Sequence, residues 1–267
     1  MRLNINAELT YGFGSPTQII AAIEAARSPD QTIISENLVI SPDAELVLAE
    51  GEDGERRFRA VLSGEAAISY AATVDNHQRA LLEPEARLHD WAELPQEVLP
   101  FLLPSRFCPS DIFMRFAHRE FCAIAQGGAR VLAVLDWLKH HVDYVHGVSN
   151  AQTTAQQTFI DRAGVCRDFS HLAITLSRAM NIPARAVSAY ALDLDPPDFH
   201  AVFEVYLDGQ WWLLDPTGLA PVEGMVRIAT GRDAADIAFL TSEFNCQCLS
   251  QTITVTAADD GPVQQVA

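Results

Sequence analysis

A cysteine, a histidine and an aspartate occur in this order at Cys166, His200 and Asp215, separated by 34 and 15 residues. A cysteine attacks a carbonyl carbon as the thiolate, and an imidazole can accept the proton that the thiol releases. A carboxylate that contacts the imidazole fixes its tautomer. These three residue types are therefore the parts of a site for nucleophilic acyl transfer.

The segment after Cys166 has the hydrophobic spacing of a helix. Apolar residues recur there at steps of three and four: Phe169, Leu172, Ala173, Leu176 and Met180. Pro183 cannot continue a helix, so we expect this one to end near Asn181. At its start, the helix dipole and the unpaired N–H groups favour an anion such as a thiolate. The backbone N–H of Cys166 is also a candidate donor to an oxyanion.

Two predicted strands, at 200–207 and 211–215, are joined at Asp208–Gly209, which is a strong signal for a tight hairpin. A two-residue turn fixes the register of the pair and puts His200 and Asp215 on one face. As diagonal neighbours they would lie about 7–8 Å apart at the backbone, within reach of an imidazole and a carboxylate. A shift of one residue would place them on opposite faces.

Each of the three residues also has a plainer interpretation. A free cysteine in an apolar helix usually packs as a small hydrophobic residue, and an isolated histidine or aspartate is commonly structural. The agreement of helix start, hairpin and shared face favours the catalytic interpretation. Nearby groups are expected to be structural: an ion pair of Arg185 with Asp168, packing of His171 against the hairpin, and core packing of Tyr144.

The rest of the chain predicts an α+β protein. Residues 1–75 have the pattern of short strands in a small β-sandwich, and the polar, proline-rich stretch to residue 104 is typical of a connector. Residues 16–26 fit either a short amphipathic helix or a strand that leads into a loop. Further elements are predicted as helices at 129–141 and 154–162 and strands at 184–192 and 251–256. We divide the chain into a β-sandwich domain with connector, 1–95, and a catalytic domain, 96–267.

The chain is acidic, with 18 Lys and Arg against 35 Asp and Glu and a formal net charge of −17. Nucleic acids and anionic membranes bind basic surfaces, so we expect neither as a partner. Five cysteines are too few and odd in number for a disulfide scaffold, and the first residues lack the pattern of a signal peptide. We therefore expect a cytoplasmic protein. The cysteines lack the spacing of a zinc site, so we expect no metal and no cofactor.

Five segments carry a resemblance to a known family. They are GVCRDFSH at 164–171, IPAR at 182–185, DFHAVFEVYL at 198–207, WWLLDPT at 211–217 and TGRDAADIA at 230–238. In this order they resemble the bacterial transglutaminase-like family, whose members are often described as cysteine proteases. The similarity extends back to about residue 100, and the preceding part resembles the β-sandwich domain found ahead of that core.

The resemblance implies a papain-like α+β core with Cys166 as nucleophile, His200 as general base and acid, and Asp215 as the orienting carboxylate. Val202 stands where the family often has an aromatic residue, a difference that alters the wall near the site but leaves the three residues in place. The implied chemistry is acyl transfer on a peptide or protein substrate.

Three functions follow from this resemblance. Hydrolysis of peptide or carboxamide bonds is favoured, since transfer to an amine requires a site that excludes water and no sequence feature indicates one. The alternatives are a protein-glutamine gamma-glutamyltransferase, which crosslinks or deamidates, and a non-catalytic binding module on the same fold. The oligomeric state is not predicted.

Overall fold

The computed structural model describes residues 1–51, 53–77 and 79–258. Its strands are β1 (Arg2–Ala21), β2 (Gln31–Ser41), β3 (Val47–Glu50), β4 (Arg56–Asn76), β5 (Asp143–Tyr144), β6 (Ala163–Gly164), β7 (Ala184–Ala191), β8 (Phe199–Leu207), β9 (Gln210–Leu214), β10 (Met225–Gly231), β11 (Leu240–Ser242) and β12 (Cys246–Ala257). Its α-helices are α1 (Met114–Phe121), α2 (Gly128–His141), α3 (Ala155–Asp161) and α4 (Cys166–Ala179). Short 3₁₀ helices lie at Trp91–Glu93, Leu99–Leu102, Ser110–Phe113 and Val222–Gly224. Within these described ranges, no helix has the length and apolar character needed to cross a lipid bilayer.

The amino-terminal β domain is built on two long antiparallel strands, β1 and β4. Side chains of β1 alternate between buried and exposed over most of its first half, as in a strand with one face in the core. The register shifts between Phe13 and Thr17, opposite Gly64, whose φ of 64° is a left-handed value that glycine adopts without strain. The sequence pattern predicts short separate strands here, but pairing resumes beyond the irregularity and makes each strand continuous. Residues 16–26 follow the strand alternative as far as Ala21.

The sheet has different partners on the two sides of this irregularity. On one side the order is β12-β1-β4-β2, and on the other β11 and β3 flank the same central pair. The predicted strand at 251–256 lies within β12, so the second predicted domain contributes two strands to the sheet of the first. The division into two domains near residue 95 stays a prediction. The last residues of the predicted catalytic domain, 259–267, lie outside the described residues.

The second sheet is antiparallel in the order β10-β7-β8-β9, and helix α4 packs against it. Every residue of α4 from Asp168 to Ala179 is buried. The helices predicted at 129–141 and 154–162 correspond to α2 and α3, and the strand at 184–192 to β7. The sequence pattern missed α1 and β10; every residue of β10 is buried, so it has no polar alternation to detect. The fold is therefore mixed α+β, as predicted.

Candidate active site

Cys166 is the first residue of α4 and is half-buried. The preceding Val165 has an extended backbone, and its N–H donates to Asp168 Oδ2 at 3.0 Å. The other oxygen of Asp168 pairs with Arg167 at 2.8 Å. Both oxygens are thus engaged at the helix start, where they support the turn that carries the thiol. The predicted ion pair of Asp168 with Arg185 is therefore wrong.

The hairpin of β8 and β9 has the predicted register, with Leu207 opposite Gln210. Asp208–Gly209 connects the strands with φ values of 51° and 77°. Two positive φ values in succession are those of a type I′ turn, which matches the twist of the flanking strands. Because the register holds along the hairpin, His200 Nε2 comes to 2.9 Å from Asp215 Oδ2.

Helix α4 is attached to β8 beside His200, where Ser170 Oγ donates to the Ala201 carbonyl at 2.9 Å. This contact places the Cys166 side chain within reach of the His200 ring. Asp215 occupies Nε2, so Nδ1 is the ring nitrogen left for the sulfur. The structure thus brings together the three side chains that the sequence singled out.

The environment of His200 favours its protonated form. Burial by itself lowers the pKa of His200, but the hydrogen bond to Asp215 and the contact and charge of Cys166 outweigh this effect and raise the pKa to about 9. The imidazole is only 1% exposed. His200 can therefore receive a thiol proton and hold it beside the sulfur, as a general base must.

The Asp215 carboxylate is surrounded by donors. Oδ2 accepts from His200 and from the N–H of Ala220 at 3.1 Å, and Oδ1 accepts from the N–H and hydroxyl of Thr217 at 2.9 and 2.7 Å. Burial raises the pKa of Asp215, but the hydrogen bond and charge of His200 and the bonds from Thr217 outweigh it, and the pKa lies below its ordinary value. Asp215 is thus an ionised anchor for the imidazole.

Tyr144 is a fourth side chain, which lies beside Cys166. Its hydroxyl lies beside both the sulfur and the backbone N–H of Cys166, and the residue is half-buried. From the sequence we expect core packing for Tyr144. No spacing argument indicates another role, since its strand, β5, is only two residues long. Tyr144 is brought to Cys166 by the parallel pairing of β5 with β6, the strand just before Cys166. A local sequence pattern does not reveal such a pairing.

His171 does not reach this group of side chains. Its Nε2 accepts from the N–H of Ala234 at 3.1 Å, and its ring stacks on Phe107 with centroids 5.1 Å apart. Burial lowers the pKa of His171 to about 4, so the ring is a neutral acceptor. We expected the hairpin as its neighbour, whereas these contacts tie it to Phe107 and the loop at Ala234.

Across the described part of the chain, no group of three or more His, Cys, Asp and Glu side chains could hold a metal ion.

Comparison with protein families identifies two matching regions. Residues 123–216 match the family described as "Transglutaminase-like superfamily". Residues 1–89 match the family described as "Bacterial transglutaminase, N-terminal domain". The first match contains Cys166, His200 and Asp215.

A solved structure from Cytophaga hutchinsonii, named a "Putative Cysteine Protease", is similar over almost the whole chain. It is 40% identical, covers 97% of this chain and 91% of its own, and superposes with a TM-score of 0.90. An uncharacterised protein of Mycobacterium leprae is 26% identical over an alignment of 174 residues, and the match covers 59% of this chain and 61% of that protein. An uncharacterised Mycobacterium tuberculosis protein is 34% identical over an alignment of 110 residues, and the match covers 35% of this chain and 35% of that protein. This chain thus spans less than two thirds of either mycobacterial relative.

Proposed function

Because the chain belongs to the transglutaminase-like superfamily, we propose that it is a thiol-dependent enzyme that hydrolyses peptide or carboxamide bonds. Cys166 is the nucleophile, His200 the general base and acid, and Asp215 the orienting carboxylate. The observation that carries the proposal is the position of His200, hydrogen-bonded to Asp215 at 2.9 Å on one side and in contact with the Cys166 thiol on the other. The name of the Cytophaga protein supports the same class of activity.

In the first half of the reaction, His200 takes the thiol proton and the Cys166 sulfur attacks the carbonyl carbon. The carbonyl electron pair moves to oxygen, and the resulting oxyanion accepts a hydrogen bond from the Cys166 N–H. The imidazolium then gives its proton to the amide nitrogen. The C–N bond breaks, the amine leaves, and a thioester remains on Cys166.

In the second half, His200 takes a proton from water, and the oxygen attacks the thioester carbon. The C–S bond breaks, the thiolate leaves with the electron pair, and His200 returns the proton to it. The sum is one amide and one water converted into one carboxylic acid and one amine. Asp215 keeps the imidazole oriented in both halves, because its charge stabilises the imidazolium that forms twice.

In the test, the 267-residue protein is incubated with a mixture of synthetic peptides of defined sequence, and mass spectrometry identifies the products. Wild type is expected to cleave or deamidate a subset of them. Cys166→Ala should lower kcat by about 10⁶-fold, as loss of a catalytic nucleophile does in a comparable triad. Cys122→Ser is the matched control, since Cys122 is exposed and lies outside the site. Equal cleavage by wild type and Cys166→Ala would contradict the proposal.

Two further outcomes separate the alternatives. A glutamine-containing peptide incubated with a labelled primary amine would gain the label if the thioester reacts with amines, and the protein would then be a transferase. Iodoacetamide labelling at mildly acidic pH tests for an activated thiol. Labelling of Cys166 should be faster than that of Cys122 and should slow in His200→Ala. Equal rates at the two cysteines, with no peptide turnover, would favour the binding module.

A further inference from the structure

The backbone places Tyr144 directly beside the start of α4. Strands β5 and β6 are parallel, with Tyr144 opposite Gly164, two residues before Cys166. The pair is closed by hydrogen bonds from the N–H of Asp143 to the Arg162 carbonyl at 2.8 Å and from the N–H of Val145 to the Gly164 carbonyl at 2.9 Å. Tyr144 is therefore held at a fixed position relative to the nucleophile.

Neighbouring rings restrict the side chain of Tyr144. Its ring lies 5.8 Å from that of Phe169, one turn along α4, and 5.4 Å from that of His146 in an edge-to-face arrangement. Aromatic pairs at such distances prefer defined geometries. The hydroxyl is thereby directed at Cys166, where it meets both the sulfur and the backbone N–H. Core packing alone needs the ring but gives no reason for the hydroxyl to face a thiol.

The hydroxyl of Tyr144 remains a donor over the working pH range. Burial, with the charge of a Cys166 thiolate as the next cause, raises the pKa of Tyr144 to about 12. A neutral phenol has one O–H to give and an oxygen that can accept. Here both the sulfur and the backbone N–H of Cys166 lie close to the phenol oxygen.

We propose that Tyr144 is a catalytic residue, whose hydroxyl donates first to the Cys166 thiolate and then to the oxyanion formed when that sulfur attacks. This inference rests on the proposed function. The sulfur attacks a carbonyl carbon, so the oxyanion on that carbon forms next to the sulfur. The Tyr144 hydroxyl already lies beside this position. With the Cys166 N–H, it would provide a pair of preorganised donors on one oxygen, the arrangement that stabilises tetrahedral intermediates.

The test is Tyr144→Phe, which keeps the ring contacts with Phe169 and His146 and removes only the hydroxyl. On a peptide that wild type cleaves, kcat should fall by about 10²- to 10³-fold, as for loss of one oxyanion donor, with KM changed little. The matched control is Tyr11→Phe in β1, which should leave kcat unchanged. Equal thermal midpoints for wild type and both variants establish that each is folded.

A second readout needs no substrate. The pH at which iodoacetamide alkylation of Cys166 is half-maximal should move upward in Tyr144→Phe, because the thiolate loses a donor, and should stay in place in Tyr11→Phe. If wild type cleaves peptides, an unchanged or increased kcat in Tyr144→Phe overturns the inference, an increase meaning that the hydroxyl obstructs the site. If wild type cleaves none, the proposed function fails, and the alkylation profile alone decides whether Tyr144 assists the sulfur.

Discussion

Strand β8 carries a buried imidazole, His200, and a buried carboxyl group, Glu204, four residues apart, and their surroundings differ. Glu204 is fully buried and lies between two guanidinium groups, Arg185 at 2.7 Å and Arg227. His200 is equally buried, but its partners are one carboxylate and one thiol. Burial is thus common to both groups, and the chemical nature of the partners distinguishes them.

The partners decide whether a proton can be exchanged. Burial raises the pKa of Glu204, but the charges and hydrogen bonds of Arg227 and Arg185 outweigh it and hold the pKa below its ordinary value. The pKa of Arg227 is in turn raised well above its ordinary value, chiefly by Glu204 once its own desolvation is overcome. These charges stay fixed near neutral pH, whereas His200, with a pKa of about 9, sits next to a group that can give it a proton.

The fixed charges serve the contact between the two sheets. Arg227 in β10 pairs with Asp30 at 2.5 Å, and its backbone N–H donates to Gln31 at 2.8 Å. Arg185 in β7 reaches Asp53 at 2.8 Å. Through these two arginines, the buried Glu204 carboxylate of the second sheet is linked to residues of the amino-terminal domain. The comparison indicates that mutations at Asp215 should affect the reaction and mutations at Glu204 should affect stability.

Among the changes that test this comparison, Asp215→Asn should have the largest effect. An amide cannot stabilise the imidazolium and allows the wrong tautomer, so kcat should fall by about 10⁴-fold, or about 5.4 kcal/mol, with the fold retained. Steady-state kinetics on a cleaved peptide measures this. Asp193→Asn is the control, because Asp193 is exposed and its φ of 63° suits asparagine. Activity within tenfold of wild type would show that Asp215 does not orient His200.

Glu204→Gln should leave two guanidinium groups without their buried counter-charge. Breaking a buried ion pair in this way costs about 3–5 kcal/mol of unfolding free energy, whereas kcat of the folded fraction should be nearly unchanged. Urea denaturation gives the stability, and Glu65→Gln, at an exposed position, should change it by less than about 0.5 kcal/mol. A loss of kcat with wild-type stability would reverse the roles assigned to the two groups.

The smallest expected effect is a pH dependence of stability. His200 has a folded-state pKa of about 9 against an ordinary value of 6.5, so the folded chain binds the proton more tightly. The stabilisation is complete below about pH 6.5 and is lost as the pH rises through 9, amounting to roughly 3 kcal/mol at most. Urea denaturation of wild type between pH 6 and 9.5 should show this decline, and Asp215→Asn should show a shallower one. Parallel declines would mean that Asp215 does not hold the proton on His200.

The helix that begins at Cys166 and the hairpin that carries His200 and Asp215 could both be predicted from the sequence, because both depend on local patterns. A helix period and a two-residue Asp-Gly turn are local, and the register set at the turn propagates along both strands. Tyr144 was not found, because its strand of two residues has no period. The partner of Arg185 was predicted wrongly, since Asp168 is used by its own helix end, and a charge pattern does not tell which distant partner a guanidinium meets.

Spacing along the chain was thus sufficient for the α+β class, for most elements of the core and for the hairpin that joins His200 to Asp215, because each depends on patterns a few residues long. Only the folded structure established the long-range strand pairings. These pairings join β11 and β12 to β1, bring Tyr144 to Cys166 and place Glu204 between two arginines. Those arrangements arise from hydrogen bonds and burial between segments far apart in sequence, and no local pattern encodes which distant segments meet.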